Sequence, residues 1–214
     1  MKYTNPRPKV KILLLFLAFV ILFVAGTVSG LAVPSTQIKS GLIGPMAIVL
    51  DEANSHLYFV EYTPGNLKRI DLTDPTYPTI TIATGLPQPK GLALDLARGL
   101  AYVTTHNIAG YPPGTGALWK VDISTGTPTL ITFNMGSPQQ LVLNQAKTQA
   151  YTVGSNDGRL RRIDLVTGVK IPVYIGLHHP VGIVITKDEK YAYVSEQGPP
   201  DRTIVKIDLT TSSL

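Results

Sequence analysis

Beyond residue 37 the apolar positions fall in short runs broken by Gly, Pro, Asp and Ser/Thr, the pattern of strands of about four to eight residues joined by turns. The runs come back four times in the same order. Each copy opens on a proline, Pro45, Pro89, Pro138 or Pro180, that leads into an apolar stretch. A tyrosine line follows: Leu57-Tyr58-Phe59-Val60, Ala101-Tyr102-Val103-Thr104, Ala150-Tyr151-Thr152-Val153 and Ala192-Tyr193-Val194-Ser195. Each copy closes on a basic, aliphatic, Asp, aliphatic line: Arg69-Ile70-Asp71-Leu72, Lys120-Val121-Asp122-Ile123, Arg162-Ile163-Asp164-Leu165 and Lys206-Ile207-Asp208-Leu209. The prolines are 44, 49 and 42 residues apart, and the longest step holds an extra Gly/Pro-rich stretch, Gly110 to Gly116. A repeat of this length points to an architecture before any single residue is interpreted.

Within the second copy, Gly91–Leu94, Ala101–Thr105, Leu118–Asp122 and Thr129–Phe133 read as four successive strands; in the third, Gln140–Leu143, Ala150–Val153, Leu160–Asp164 and Ile171–Ile175 do. Four antiparallel strands in about 45 residues make one propeller blade. The expected fold is therefore an all-β propeller of four four-stranded blades over residues 36–214. Four is the lower end of the range of about four to eight blades, so the same pattern also fits part of a ring of about six to eight. Residues 36–43 stand in the phase of a fourth strand, and the chain stops after a third. Closure of the last blade by that N-terminal strand is the expectation, with two half-rings from two chains as the alternative.

Antiparallel order places the loops before each first strand and those between strands two and three at one end of the propeller. Asp71, Asp122, Asp164 and Asp208 sit where the third strand ends, a place for an Asp side chain to cap a turn. The repeated tyrosines read as packing between blades.

Residues 1–32 read as a separate element. Lys2, Arg7, Lys9 and Lys11 precede fourteen apolar residues, Ile12–Ala25, and then a small-residue stretch ending in Gly30-Leu31-Ala32. This is the order of a secretion signal, cleaved before Val33, or of an uncleaved membrane anchor helix over residues 12–33. Both place the repeats outside the cytoplasm, either secreted or attached to the cell envelope. These four cations account for most of the net charge of +5, leaving 15 basic against 14 acidic residues. With no basic stripe in the repeats, nucleic acid is set aside as a partner. The 44% hydrophobic content, 19 Gly and 17 Pro fit a turn-rich all-β domain, and the absence of Cys excludes disulfides and thiolate chemistry.

Candidate chemistry gathers on one loop face: Glu61, His106, Asn107, Asn156, Asp157, Glu196 and Gln197 from the strand two-to-three loops, His178 and His179 from a loop before a first strand. Glu61 and Glu196 each follow their blade tyrosine by three residues, which sets them at equivalent heights. Glu61, His106 and Glu196 are the candidate ligands for a divalent cation such as calcium, magnesium or zinc. The competing reading is that these are merely wet, polar loops. No Ser/His/Asp order, HExxH, P-loop or dinucleotide fingerprint is present.

With Ala101-Tyr102-Val103-Thr104 and the pair Tyr58-Phe59-Val60-Glu61 and Leu67-Lys68-Arg69-Ile70-Asp71 on the page, the chain resembles the NHL and YVTN propeller repeats. More loosely it resembles gluconolactonase-like and streptogramin-lyase-like propellers. The resemblance implies an exported or envelope-attached propeller; its lactonase-like members use a divalent ion held by spaced acidic and amide residues, of which no complete set is placed here. The expected function is a module that binds a protein or small-molecule ligand and requires no cofactor. A metal-dependent lactonase or lyase and an envelope structural or sensor subunit are the alternatives.

Overall fold

Each repeat folds as an antiparallel meander because its runs are too short for helices, alternate in burial and are separated by tight turns. The computed structural model describes residues 35–211 apart from 109, 113 and 201, so the 1–32 signal or anchor lies outside the described residues. The chain divides at Thr36/Gln37, and the second unit carries all the strands. Blade one holds β1 (Pro45–Asp51), β2 (His56–Glu61), β3 (Asn66–Asp71) and β4 (Thr79–Ala83). Blade two holds β5 (Pro89–Asp95), β6 (Leu100–Thr105), β7 (Ala117–Asp122) and β8 (Pro128–Phe133). Blade three holds β9 (Pro138–Leu143), β10 (Gln149–Gly154), β11 (Arg159–Asp164) and β12 (Lys170–Ile175). Blade four holds only β13 (Pro180–Ile185), β14 (Tyr191–Glu196) and β15 (Ile204–Asp208). Among the described residues no helix is long and apolar enough to cross a membrane.

The register explains the repeat. In every blade the tyrosine faces the closing basic residue across the strand pair: Tyr58 with Arg69, Tyr102 with Lys120, Tyr151 with Arg162 and Tyr193 with Lys206. Such cross-strand pairs are the unit of sheet stability, so the two lines recur together. The first strand of every blade is irregular near its proline, which has no N–H for the ladder. The closing aspartates cap turns as expected. Asp71 accepts from Thr73 N at 2.8 Å, Asp122 from Ser124 N at 2.8 Å, Asp164 from Thr167 N at 2.7 Å and Asp208 from Thr210 N at 2.8 Å. These hydrogen bonds to the ionised form hold all four carboxyls below their ordinary value.

The core lies between blades rather than within one. Tyr58, Val60 and Leu67 of blade one pack on Leu92, Ala101, Val103 and Val121 of blade two. Tyr102 and Leu118 of blade two pack on Leu141, Ala150 and Ile163 of blade three, and Tyr151, Val153 and Leu160 of blade three on Ile183, Ala192, Val194 and Ile207 of blade four. The inner strands β1, β5, β9 and β13 neighbour one another in that order, and no comparable packing joins β13 back to β1. The outer turns add to the junctions. At Gly126 (φ 72°) a Cβ would lie 2.0 Å from the carbonyl oxygen of Ile82 in the preceding blade, so only glycine fits.

The expected N-terminal closing strand is not formed. Residues 36–43 make no strand, and the fourth blade has three strands among the described residues. The backbone of this segment is engaged elsewhere: Ile43 N–H donates to the Glu61 carboxylate and Gly44 C=O accepts from Tyr62 N–H, which ties it to its own blade.

Candidate functional site

The loop face is built from the main chain. In each blade the carbonyl of the residue before the opening proline accepts a hydrogen bond from the loop after the second strand: Tyr62 N to Gly44 O (2.9 Å), His106 N to Gln88 O (2.9 Å), Ser155 N to Ser137 O (3.1 Å) and Gln197 N to His179 O (3.2 Å). The four acceptors have left-handed backbone, with φ of 60°, 55°, 57° and 51°. Three of them are not glycine, and the geometry is sparsely populated for such residues. Its recurrence in all four blades makes it part of the scaffold. The two loop types therefore meet at one mouth, as the strand order requires.

Glu61 and Glu196 do occupy equivalent places, and both are buried. Each latches the loop before its own first strand. Glu61 Oε1 accepts from Ile43 N at 3.1 Å, while Oε2 meets Lys68 Nζ at 2.8 Å and Asn66 Nδ2 at 3.4 Å. Glu196 Oε1 accepts from His178 N at 2.6 Å and Oε2 from Thr203 Oγ1 at 2.6 Å. Burial is the largest single influence on the Glu61 carboxyl and pushes its pKa up. The Lys68 ammonium, the Ile43 N–H and the Asn66 amide together outweigh it and hold the pKa below its ordinary value. The structure does not bring Glu61, His106 and Glu196 together, and no group of three or more His, Asp or Glu among the described residues is placed to hold a metal ion.

His106 enters a different assembly, which the sequence did not announce. Its Nδ1 is hydrogen-bonded to Ser137 Oγ across the junction between blades two and three. Gln139 Nε2 donates to Ser137 O (3.1 Å) and to Ser155 Oγ (2.9 Å), Gln139 Oε1 accepts from Lys90 Nζ (3.4 Å), and Gln139 O accepts from Thr104 Oγ1 (2.5 Å). Burial, with the Lys90 ammonium adding to it, lowers the His106 pKa and favours the neutral imidazole. Ser137 is fully buried, so this Ser-His contact is closed to a substrate. Lys90, Gln139 and Gln140 line a central cavity of about 370 Å³ with Met46, Ile48 and Val181. Aligning the four first strands would have revealed the polar pair, because Lys90 and Gln139 stand where the outer blades have Met46 and Val181.

Asn107 organises the inserted loop, accepting from Gly114 N at 2.7 Å and donating to Gln88. Asp157 forms a two-point pair with the buried Arg161, which also donates to Met135 O at 3.1 Å. Asn156, His178, His179 and Gln197 remain exposed. Asn156, Asp157, His178 and His179 line one groove of about 430 Å³ across blades three and four, floored by Leu177 and Gly158 and walled by Pro199. Of the sequence candidates, these four converge.

Repeated meanders, cores between blades and a mouth of paired loops define an all-β propeller. No protein-family model matches the chain, and no curated protein matches it. In structure it is similar to a chain of the nidogen/laminin complex, with a TM-score of 0.71 and 19% identity over 85% of this chain and 65% of that one. It is also similar to hydrazine synthase of Kuenenia stuttgartiensis, with a TM-score of 0.67 and 18% identity over 84% of this chain and 50% of that one. The chain thus spans less than two thirds of either, and the likeness is one of fold.

Proposed function

We propose that this chain is an exported or membrane-anchored propeller of the NHL/YVTN type whose loop mouth binds a protein or peptide partner. The observation that carries the reading is the groove of about 430 Å³ in which exposed His178, His179 and Asn156 converge from loops of two adjacent blades. Its size is within the range of about 300–1,000 Å³ used by binding clefts, and convergent polar groups over an apolar floor are what such clefts need. One structural relative belongs to a complex between two proteins, which agrees with this use of the fold. The lactonase or lyase alternative gains nothing from Glu61 and Glu196, whose oxygens are engaged by backbone and neighbouring side chains. Export rests on the basic residues and apolar run of residues 2–25.

The test selects peptides from a displayed random library on the full chain and measures their affinity for a His178→Ala/His179→Ala variant. Loss of about tenfold or more in affinity, roughly 1.4 kcal/mol, is expected when two contact side chains are removed. Equal binding to both proteins places recognition elsewhere. A fusion of residues 1–40 to a reporter active only outside the cytoplasm tests export, and a silent reporter removes that half of the reading.

A further inference from the structure

The middle blades place a cation at the centre of the propeller with no anion to meet it. Lys90 is the second residue of β5 and lines the central cavity of about 370 Å³. Its ammonium carries three N–H donors, and the hydrogen bond it makes, to Gln139 Oε1 at 3.4 Å, is long and to a neutral group. Among the described residues no carboxylate lies within ion-pair reach of it. Arg161, also in the interior, is matched by Asp157, the ordinary arrangement for a cation withdrawn from water. Burial without a counter-charge lowers the Lys90 pKa.

Gln140 brings further donors to the same cavity. Its Oε1 accepts from Ile183 N at 3.1 Å. Because a backbone N–H can only donate, the amide NH2 is the other end of the group, and it has no acceptor among the described residues. Both polar residues belong to blades that pack on a neighbour at each face, so their surroundings are those of the interior of the series. The rest of the wall is apolar, with Met46, Ile48, Leu92 and Val181, and no Asp or Glu among the described residues lines it.

We propose that the central cavity binds a small organic acid, its carboxylate held by the Lys90 ammonium and the Gln140 amide and its hydrocarbon body lying on Met46, Ile48 and Val181. One ammonium balances one negative charge; the second charge of a phosphate dianion would be left without a partner beside an apolar wall. The volume is at the small end of the range of about 300–1,000 Å³ for ligand sites, whose common make-up is an apolar lining with a few placed polar groups. This site shares no lining residue with the groove of His178 and His179, so it stands apart from the partner-binding mouth.

The probes are hexanoate, hexanol and inorganic phosphate, titrated calorimetrically into the full chain in a non-ionic detergent, with the heat of detergent alone subtracted. Hexanoate is expected to bind saturably, and hexanol, the same body without the charge, about tenfold or more weakly, the scale of a hydrogen bond to a charged group. Lys90→Met is expected to weaken hexanoate by about tenfold or more, while Lys90→Arg, which keeps the charge, retains its binding. The nuclear magnetic resonance signal of the His106 ring, which lies within electrostatic reach of the Lys90 ammonium, is expected to shift on addition of hexanoate while those of His178 and His179 stay in place. Absence of saturable hexanoate binding by the wild type overturns the proposal. So does hexanoate binding that survives Lys90→Met, phosphate binding as tight as that of hexanoate, or movement of the His178 and His179 signals in place of His106, which puts the anion in the groove instead.

Discussion

Blades one and four hold their mouth loops with their own side chains, while blades two and three hold theirs with each other's. Glu61 binds only residues 43–68 and Glu196 only residues 178 and 203, so each latch is complete within its blade. In the middle, His106 reaches Ser137, Lys90 reaches Gln139, Thr104 reaches the Gln139 carbonyl, and Lys147 reaches the buried Asp95, all across one junction. Among the described residues no side-chain hydrogen bond crosses from blade one to blade two; that junction is apolar. The difference teaches that one backbone frame accepts two ways of satisfying buried polar groups. A junction between blades can be bridged by shared side-chain hydrogen bonds, as between blades two and three, or left apolar, as between blades one and two.

The largest expected effect tests the contrast between filled and unfilled junctions. Leu118→Ala, at a fully buried position, is expected to cost about 2–5 kcal/mol in denaturant unfolding. Ile204→Ala, measured in dilute single-chain samples, is expected to stay within about 0.5 kcal/mol. A cost at Ile204 as large as that at Leu118 would mean that its side chain is packed rather than exposed.

The next test separates the two kinds of anchoring by pH. Glu61→Gln removes the ionised partner of Lys68 and is expected to cost about 1–3 kcal/mol near neutral pH. Because the folded state holds the Glu61 pKa below its ordinary 4.5, the unfolded chain takes up the proton first. The stabilisation is therefore present above that value and lost as pH falls through the folded one. His106 is likewise depressed, from an ordinary 6.5, so its contribution is present above 6.5 and fades as pH falls below it. The expected pH profile of the unfolding midpoint has two steps, the upper abolished by His106→Ala and the lower reduced by Glu61→Gln. A single step insensitive to either substitution would remove the distinction.

The smallest effect is a coupling. Glu61→Gln and Gln139→Ala are expected to add within about 0.5 kcal/mol, whereas Lys90→Met and Gln139→Ala, which share a hydrogen bond, are expected to depart from additivity by about 0.5–3 kcal/mol. Additivity in the second cycle would mean that the middle blades are as self-contained as the outer ones.

The fold was legible because repetition amplifies weak local signals. A single Tyr or Asp means little, but four of each in phase fixed the strand order, the turn-capping role of Asp122 and the loop face, and most strand bounds fell within two residues. The last strand was misjudged because phase alone says nothing of competing partners, and the Glu61 carboxylate and Tyr62 N–H engage residues 43 and 44. The site was half legible. His178, His179, Asn156 and Asp157 stand out in the sequence because they depart from the repeat in its loops, and all four line the one groove of the candidate site. Glu61 and Glu196 were found but misassigned: equal height in two blades also describes a latch repeated for structural reasons. Lys90, Ser137 and Gln139 were overlooked because they lie in strand starts that read as core, and their hydrogen bonds join residues 31–49 positions apart.

The four carbonyls that clasp the mouth have a consequence for how this surface can change. Gly44, Gln88, Ser137 and His179 perform the same main-chain task with four unlike side chains. Evolution is thereby given a row of display positions whose occupants can be exchanged among residues that tolerate left-handed backbone, while the frame beneath them stays as it is. New specificity can be acquired there one blade at a time, by drift in a few loop residues rather than by rebuilding the ring.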